Sequence, residues 1–158
     1  MKLILQLLQQ VLYLMKLVKL IQFPVFKEDN GELSVFEQNS KAIPFQIERI
    51  FNVRSDKGSL RGQHAHHHCS QLLICSNGSI EVTCDDSFIK KVFLLDRPNY
   101  GLLVPPAIWA EQNYLENNSS MTVVCDRPYE AKDYISNYKF FKEYISQLNK
   151  KENNWKLL

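Results

Sequence analysis

From residue 29 onward the chain alternates short runs rich in Val, Ile, Phe and Thr with polar or Gly/Pro punctuation. Runs of this length, closed at regular intervals by turn residues, read as consecutive strands. The pattern predicts strands over residues 32–37, 45–53, 60–66, 71–75, 79–83, 88–94, 101–104, 110–114 and 121–125. Asp29-Asn30-Gly31 opens the series, and Ser55-Asp56-Lys57-Gly58, Ser76-Asn77-Gly78, Cys84-Asp85-Asp86, Asp96-Arg97-Pro98-Asn99 and Glu116-Asn117-Asn118-Ser119 supply the turns between. With no helical period among them, the strands imply a sandwich or barrel rather than an α/β fold. Beyond Tyr129 the period changes. Tyr134, Tyr138, Phe141, Ile145 and Leu148 follow at three- or four-residue steps, which predicts one C-terminal helix with Asp133 as its N-cap.

The start of the chain, MKLILQLLQQVLYLMKLVKL, has a different pattern. Leu3, Leu7, Val11, Leu14 and Val18 recur at helical spacing, describing an amphipathic helix. Gln6, Gln9, Gln10 and Lys16 interrupt the apolar run, and no small-residue cleavage site follows, which argues against both a signal peptide and a membrane span. Two readings of residues 1–16 stand: a helix packed on the barrel or on a second subunit, or an extension without a role ahead of a working start at Met15. Residues 17–148 then form the domain, and 149–158 a polar tail.

Composition narrows the choice of function. A chain of 158 residues with 45% hydrophobic content supports one domain. Its net charge of +2, from 19 basic and 17 acidic residues, leaves no basic stripe for nucleic acid and no broad attraction to a membrane surface. Cys69, Cys75, Cys84 and Cys125 form no Cys-x-x-Cys pair and lie in apolar or alternating runs, a pattern of reduced thiols in a cytosol.

The candidate chemistry lies in Arg61-Gly62-Gln63-His64-Ala65-His66-His67-His68, which holds all four histidines. Alternate strand residues share a face, so His64 and His66 point the same way, and His68 joins them if the strand continues. Two imidazoles on one face can divide a proton-transfer task or share a metal ion. In an unbroken strand Arg61 falls on the opposite face from His64.

The surrounding spacing, from Gly58 through His64, His66 and Gln71 to Gly78, resembles the first cupin motif, Gly-x5-His-x-His-x3-4-Glu-x6-Gly. Metal-binding cupins carry Glu where this chain has Gln71, and a further histidine where it has Ala110. A first-row metal site usually needs about three protein ligands, so no metal and no other cofactor is expected.

More of the chain is similar to the family of dTDP-4-keto-6-deoxyglucose 3,4-ketoisomerases, cupins that act without metal. The resemblance is carried by Asp29 to Leu33, by Ile43-Pro44-Phe45 ahead of Ile47 to Phe51, and by Arg61 to His66, similar to Arg-Gly-x-His-Ala-His. Gly101 to Trp109 resembles Gly-Leu-x-Val-Pro-Pro-x-x-Trp, and Tyr129 to Ile135 resembles Tyr-x-x-x-Asp-Tyr-Ile. The order and spacing fit from about residue 17 to 146.

The resemblance implies an all-β, cupin-type jelly-roll barrel with a C-terminal α-helix, assembled as a homodimer in the cytoplasm. It implies an isomerase for deoxyamino-sugar biosynthesis that moves a carbonyl from C4 to C3 of a dTDP-linked 4-keto-6-deoxy sugar, with galacto favoured over gluco at C4 of the product. His64 and His66 are the catalytic residues it implies, with His66 preferred as the base. Arg61 is placed at the pyrophosphate or in a rim ion pair, Gln71 at the sugar or against a histidine, and Trp109 in the sugar pocket or the core. Asn52 is a further substrate contact, although the family's tyrosine near Phe51-Asn52 has no phenol here. Asn30, where relatives often carry Arg, and Ala110, where they are often basic, also depart from the pattern. Three other functions remain compatible with the same histidines: a non-catalytic sugar-nucleotide-binding module, a related epimerase, and a metal-dependent oxygenase.

Overall fold

The computed structural model describes residues 14–38 and 42–155, with side chains described through residue 150. Residues 14–17 are helical, and Met15 and Val18 are buried in the core. The predicted helix over residues 1–16 otherwise lies outside the described residues. Twelve strands follow: β1 (Lys19–Gln22), β2 (Val25–Glu28), β3 (Gly31–Ser34), β4 (Arg49–Ser55), β5 (Leu60–His66), β6 (Gln71–Asn77), β7 (Ile80–Asp85), β8 (Lys90–Leu95), β9 (Tyr100–Val104), β10 (Trp109–Tyr114), β11 (Ser119–Cys125) and β12 (Tyr134–Ile135). Helix α1 (Tyr138–Trp155) ends the series.

Two five-stranded sheets, ordered β1-β9-β6-β11-β4 and β12-β5-β10-β7-β8, form the two layers of the jelly roll. They face each other across a shared core instead of closing into one hydrogen-bonded barrel. Strand alternation makes this core: Leu73, Leu102, Met121 and Val123 of the first sheet meet Ile80, Val82, Cys84, Leu95 and Tyr114 of the second. All four cysteines are buried as free thiols.

The outer faces carry two further apolar clusters. Phe23, Phe36, Ile43, Phe45 and Ile47 cover Leu72, Ile74 and Val124 on the first sheet. On the second, α1 lays Phe141 and Ile145 over Ala65, Trp109 and Ile135. Asn137, not Asp133, caps this helix. Its side-chain oxygen accepts from the Phe140 amide at 3.1 Å, and its carbonyl accepts from the Phe141 amide at 2.9 Å. Asp133 instead ends a short 3-10 turn, Ala131–Asp133, that feeds β12. The helix also runs through residues 149–155, where the sequence reading placed a polar tail.

Among the described residues, β2 and β3 pair only with each other, about the predicted two-residue turn at Asp29 and Asn30. The expected strand over residues 45–53 begins only at Arg49. Upstream of that point the chain is used as cover for the first sheet, which irregular backbone serves as well as a strand.

The alternation in β5 is broken by one residue. Its pairing with β10 matches His64 to Ala110 but Gly62 to Glu111 and Arg61 to Gln112, so Gln63 is extra. Gly62 (φ 74°) and Gln63 (φ 57°) are both left-handed, the conformation the bulge demands. The bulge returns Arg61 to the face of His64, which corrects the opposite-face placement expected for an unbroken strand.

The close approach makes Gly62 sensitive. A Cβ there meets the Ala110 carbonyl oxygen at 2.8 Å, whereas one at Gly58 (φ 83°) meets nothing within 4 Å. Gly58→Ala therefore costs only the left-handed penalty, about 1–2 kcal/mol. Gly62→Ala is expected to cost at least about 1 kcal/mol more, because backbone must move, and urea unfolding of the two variants checks this ordering.

Candidate functional site

Strand β5 delivers His64 and His66 into a narrow cleft between the sheets, lined also by Gly62, Cys69, Gln71, Ile108, Ala110 and Gln112. The two imidazoles are in edge contact, with ring centroids 5.0 Å apart. Tyr134, paired with His66 across β12 and β5, brings its ring to 4.4 Å from His66 and 5.0 Å from His64. Three polar rings thus form one cluster, a group that the strand pattern alone does not bring together.

Each histidine is held through its Nδ1. For His66 the partner is Asp133 Oδ2 at 2.9 Å, both side chains being buried. A carboxylate can only accept, so Nδ1 carries the hydrogen and Nε2 keeps its lone pair. That Nε2 is buried with no hydrogen-bond partner. For His64 the partner is the Gly62 carbonyl at 3.0 Å, which likewise places the hydrogen on Nδ1. Burial pushes the His66 pKa down to about 4, with His64 adding to the effect and Asp133 opposing it. Burial also lowers that of His64, opposed by its bond to Gly62. Both rings are therefore neutral near pH 7 and offer a bare nitrogen, the state of a base.

Asp133 does more than orient one ring. Its carboxylate also accepts from the His68 amide at 2.8 Å and the Cys69 amide at 3.2 Å, fixing the chain where it leaves β5. Burial opposes its charge, but the bond from His66 and those from the two amides hold its pKa below the usual carboxylate value. His66, Cys69 and Asp133 offer atoms within 4.8 Å of one another, close enough to hold a cation. Both Asp133 oxygens are already engaged by donors, and a cation there must displace them.

On the first sheet, Arg49 of β4 donates from Nη2 to Cys125 Sγ at 3.4 Å. Its guanidinium lies 5.2 Å from the Phe51 ring centroid and 5.6 Å from that of Tyr129. Burial works against the charge, but the Cys125 sulfur and the Tyr134 hydroxyl beside it raise its pKa above the usual value. Cys125 receives hydrogen bonds from Cys69, Arg49 and Gln71, which together lower its pKa against the effect of burial, while that of Cys69 rises.

The other residues singled out from sequence divide by strand face. Gln71 is buried in the cleft wall, its Nε2 3.7 Å from Cys125 Sγ. Arg61, on the same face as His64, is exposed and reaches Ser55 Oγ with Nε at 3.4 Å. Asn52 is not in the cleft: alternation in β4 turns it to the outer face, where its Oδ1 accepts from Thr122 Oγ1 at 2.7 Å. Trp109 also faces outward, packed against Tyr138 and Phe141 of α1, with Nε1 donating to Glu111 at 2.9 Å. His67 packs on Tyr144, with ring centroids 4.6 Å apart, and His68 is exposed, because β5 ends at His66.

Three residues escaped the sequence reading as site members. Arg49 and Tyr134 looked like ordinary strand and helix positions, and Asp133 like a helix cap. The one signal was the recurrence of Asp133 and Tyr134 within Tyr-x-x-x-Asp-Tyr-Ile, which marked them without stating a partner.

The geometry has a direct spectroscopic consequence. In nitrogen-correlated NMR the His66 ring is expected to keep its Nδ1–H tautomer and stay neutral until the pH falls to about 4. An exposed imidazole titrates near ~6.5. Asp133→Asn should weaken the tautomer preference; a His66 that titrates near 6.5 in the wild type contradicts the arrangement.

Comparison with known proteins shows what the chain is similar to. The family described as "FdtA: WxcM-like, C-terminal" matches residues 16–146. A TDP-4-oxo-6-deoxy-alpha-D-glucose-3,4-oxoisomerase from Aneurinibacillus thermoaerophilus is 39% identical over 132 residues, 83% of this chain and 94% of that protein. The crystal structure of a mutant of the 3,4-ketoisomerase QdtA from Thermoanaerobacterium thermosaccharolyticum, in complex with TDP-4-keto-6-deoxyglucose, superposes with a TM-score of 0.79. It is 30% identical, over 83% of this chain and 95% of that one. A 3,4-ketoisomerase from Helicobacter canadensis superposes with a TM-score of 0.77 at 31% identity, over 82% of this chain and 97% of that one.

Proposed function

The chain belongs to the FdtA family of sugar-nucleotide 3,4-ketoisomerases, and from that premise we propose that it converts dTDP-4-keto-6-deoxyglucose to a dTDP-3-keto-6-deoxyhexose. The supporting observation is the bare, buried Nε2 of His66, held in its tautomer by Asp133 and lining a cleft with a second neutral imidazole.

The reaction needs a base for the proton at C3, return of a proton to C4, and traffic of protons between the two oxygens. His66 Nε2 is the base. Removal of the C3 proton leaves an enediolate, and the resulting imidazolium gives a proton to C4. His64, with its own bare nitrogen in contact range of His66, serves the oxygens. Exposed Arg61 is suited to the pyrophosphate, where a guanidinium fork matches the anion, and Gln71 to the sugar.

The expected product is galacto. In a gluco-configured 4-keto sugar the C3 hydrogen lies on the face that the C4 hydrogen occupies in a galacto product. One base that returns its proton to the face it came from therefore yields galacto, and gluco needs an acid on the opposite face. Ala110, beside His64 on β10, supplies no such group. A 3-keto product is a substrate for transamination, so we place the chain in deoxyamino-sugar biosynthesis, and in the cytoplasm, where nucleotide sugars are made. No helix among the described residues is long and apolar enough to cross a membrane.

The homodimer is part of the same proposal. The β2–β3 hairpin pairs only with itself among the described residues, yet it leaves Phe26 59% and Leu33 61% exposed. An isolated two-stranded hairpin is marginal in water, and a second copy is the surface that buries it. Changing both residues to Ser is expected to shift sedimentation from dimer to monomer.

The activity is tested by proton NMR of the protein with the 4-keto sugar nucleotide in deuterated buffer. A 3-keto product is expected, with the C3 hydrogen returned to C4 wherever the imidazolium does not first exchange with solvent deuterium, and the coupling of that retained C4 hydrogen is expected to show it equatorial. His66→Asn should lower turnover by about 10²–10⁴. Activity should persist below pH 6, since the neutral imidazole is the working form and its pKa is depressed. Binding without formation of the 3-keto product contradicts the isomerase reading.

A further inference from the structure

The cleft holds two bases and, at first sight, no acid. Both histidines carry their hydrogen on Nδ1, donated to the Gly62 carbonyl and the Asp133 carboxylate. What each can offer a sugar is a bare Nε2, an acceptor. The carbonyl oxygen at C4 gains negative charge as the C3 proton leaves, and that oxygen needs a donor.

The other polar groups of the cleft do not provide a proton. The amides of Gln71 and Gln112 can donate hydrogen bonds but do not ionise. The Cys69 thiol is engaged by the Ser70 carbonyl at 3.5 Å and by the Cys125 sulfur. The Tyr114 hydroxyl is spent on Gln112 Oε1 at 3.2 Å, within the core. Tyr134 remains. Its ring touches both histidines, and its hydroxyl lies beside the guanidinium of Arg49, which belongs to the edge strand of the other sheet. The phenol oxygen accepts from Arg49, and among the described residues it donates to no acceptor, so its hydrogen is not committed.

Resting on the isomerase reading above, we propose that Tyr134 is the acid of the reaction: it donates its hydroxyl proton to the C4 oxygen, and Arg49 holds the phenolate that results. The balance closes as follows. The C3–H bond breaks to His66 Nε2, its electron pair forms the C3=C4 bond, and the carbonyl π pair moves to the C4 oxygen, which takes the Tyr134 proton. The C3 hydroxyl then loses its proton to His64 Nε2, its pair forms the new carbonyl, and the C3=C4 pair takes a proton from His66 at C4. The His64 imidazolium restores the Tyr134 hydroxyl across the ring contact of 5.0 Å. No proton or electron is left over, and no co-reactant is required.

Arg49 acts through Tyr134 and is a positioning residue. Its place among Cys125, Phe51 and Tyr129 keeps the guanidinium where a phenolate forms. This assigns Tyr134 a function unlike that of the other aromatic residues after Tyr129: Tyr138 and Phe141 pack on Trp109, and Tyr144 on His67.

The test compares Tyr134→Phe, Arg49→Gln and, as a control phenol outside the cleft, Tyr144→Phe, by steady-state kinetics on the 4-keto sugar nucleotide. Tyr134→Phe removes one oxygen and keeps the ring. It is expected to lower kcat by at least about 100-fold with KM within about threefold. Arg49→Gln is expected to lower kcat about tenfold with the same KM behaviour, which keeps the proposal testable if the phenylalanine variant does not fold. Tyr144→Phe should stay within about twofold. A Tyr134→Phe enzyme that keeps half of wild-type kcat overturns the proposal, as does a loss carried by KM, which would mark Tyr134 as a binding residue. An inactive wild type instead overturns the isomerase reading, so the two failures are distinguishable.

Discussion

The bond between His66 Nδ1 and Asp133 joins two parts of the chain 67 residues apart, and much of the site follows from it. Asp133 fixes the imidazole tautomer, and its remaining acceptor capacity secures the His68 and Cys69 amides just past β5. Because Tyr134 is its neighbour in sequence, the same anchorage sets the phenol against both histidines. One buried carboxylate thus controls a proton position, a backbone path and a ring contact. Such a group is stable in a dry site only because each oxygen has a donor, and here the donors are parts of the site itself.

This division of labour explains why the histidines can sit in an apolar surround without needing charge. Burial disfavours protonation of both rings, and His64 adds to the effect at His66, so the fold itself keeps the pair neutral. A positive charge beside the Tyr134 hydroxyl is provided separately, by Arg49, which is paired with the polarisable Cys125 sulfur. The neutral imidazoles thus stand on one sheet and the cation on the other.

Much of this was legible in the sequence, for definite reasons. Strand positions from Leu60 to Cys125 followed from alternation and turn residues, since each strand has one face on the core and one on solvent or cover. The His64 and His66 pairing followed from the same period. What failed did so where local pattern is silent. One extra residue at Gln63 reversed the face of Arg61, and nothing in the residue types around it announces a bulge apart from Gly62. Asn52 and Trp109 follow the strand period onto outer faces, so proximity in sequence to a motif was a poor guide to proximity in space. Asp133 has the composition of a helix cap, and its actual partner lies too far along the chain for any spacing rule to find.

The position of Asp133 and Tyr134 has a consequence for the order in which the protein becomes competent. Both residues follow β11, the last long strand of the described fold, so every long strand can pair before the closing segment docks. Until that docking the His66 ring has no fixed tautomer and neither imidazole an adjacent phenol, while His64 keeps its bond to the Gly62 carbonyl. The arrangement of the three rings is therefore completed last, by a segment that adds no long strand to either sheet.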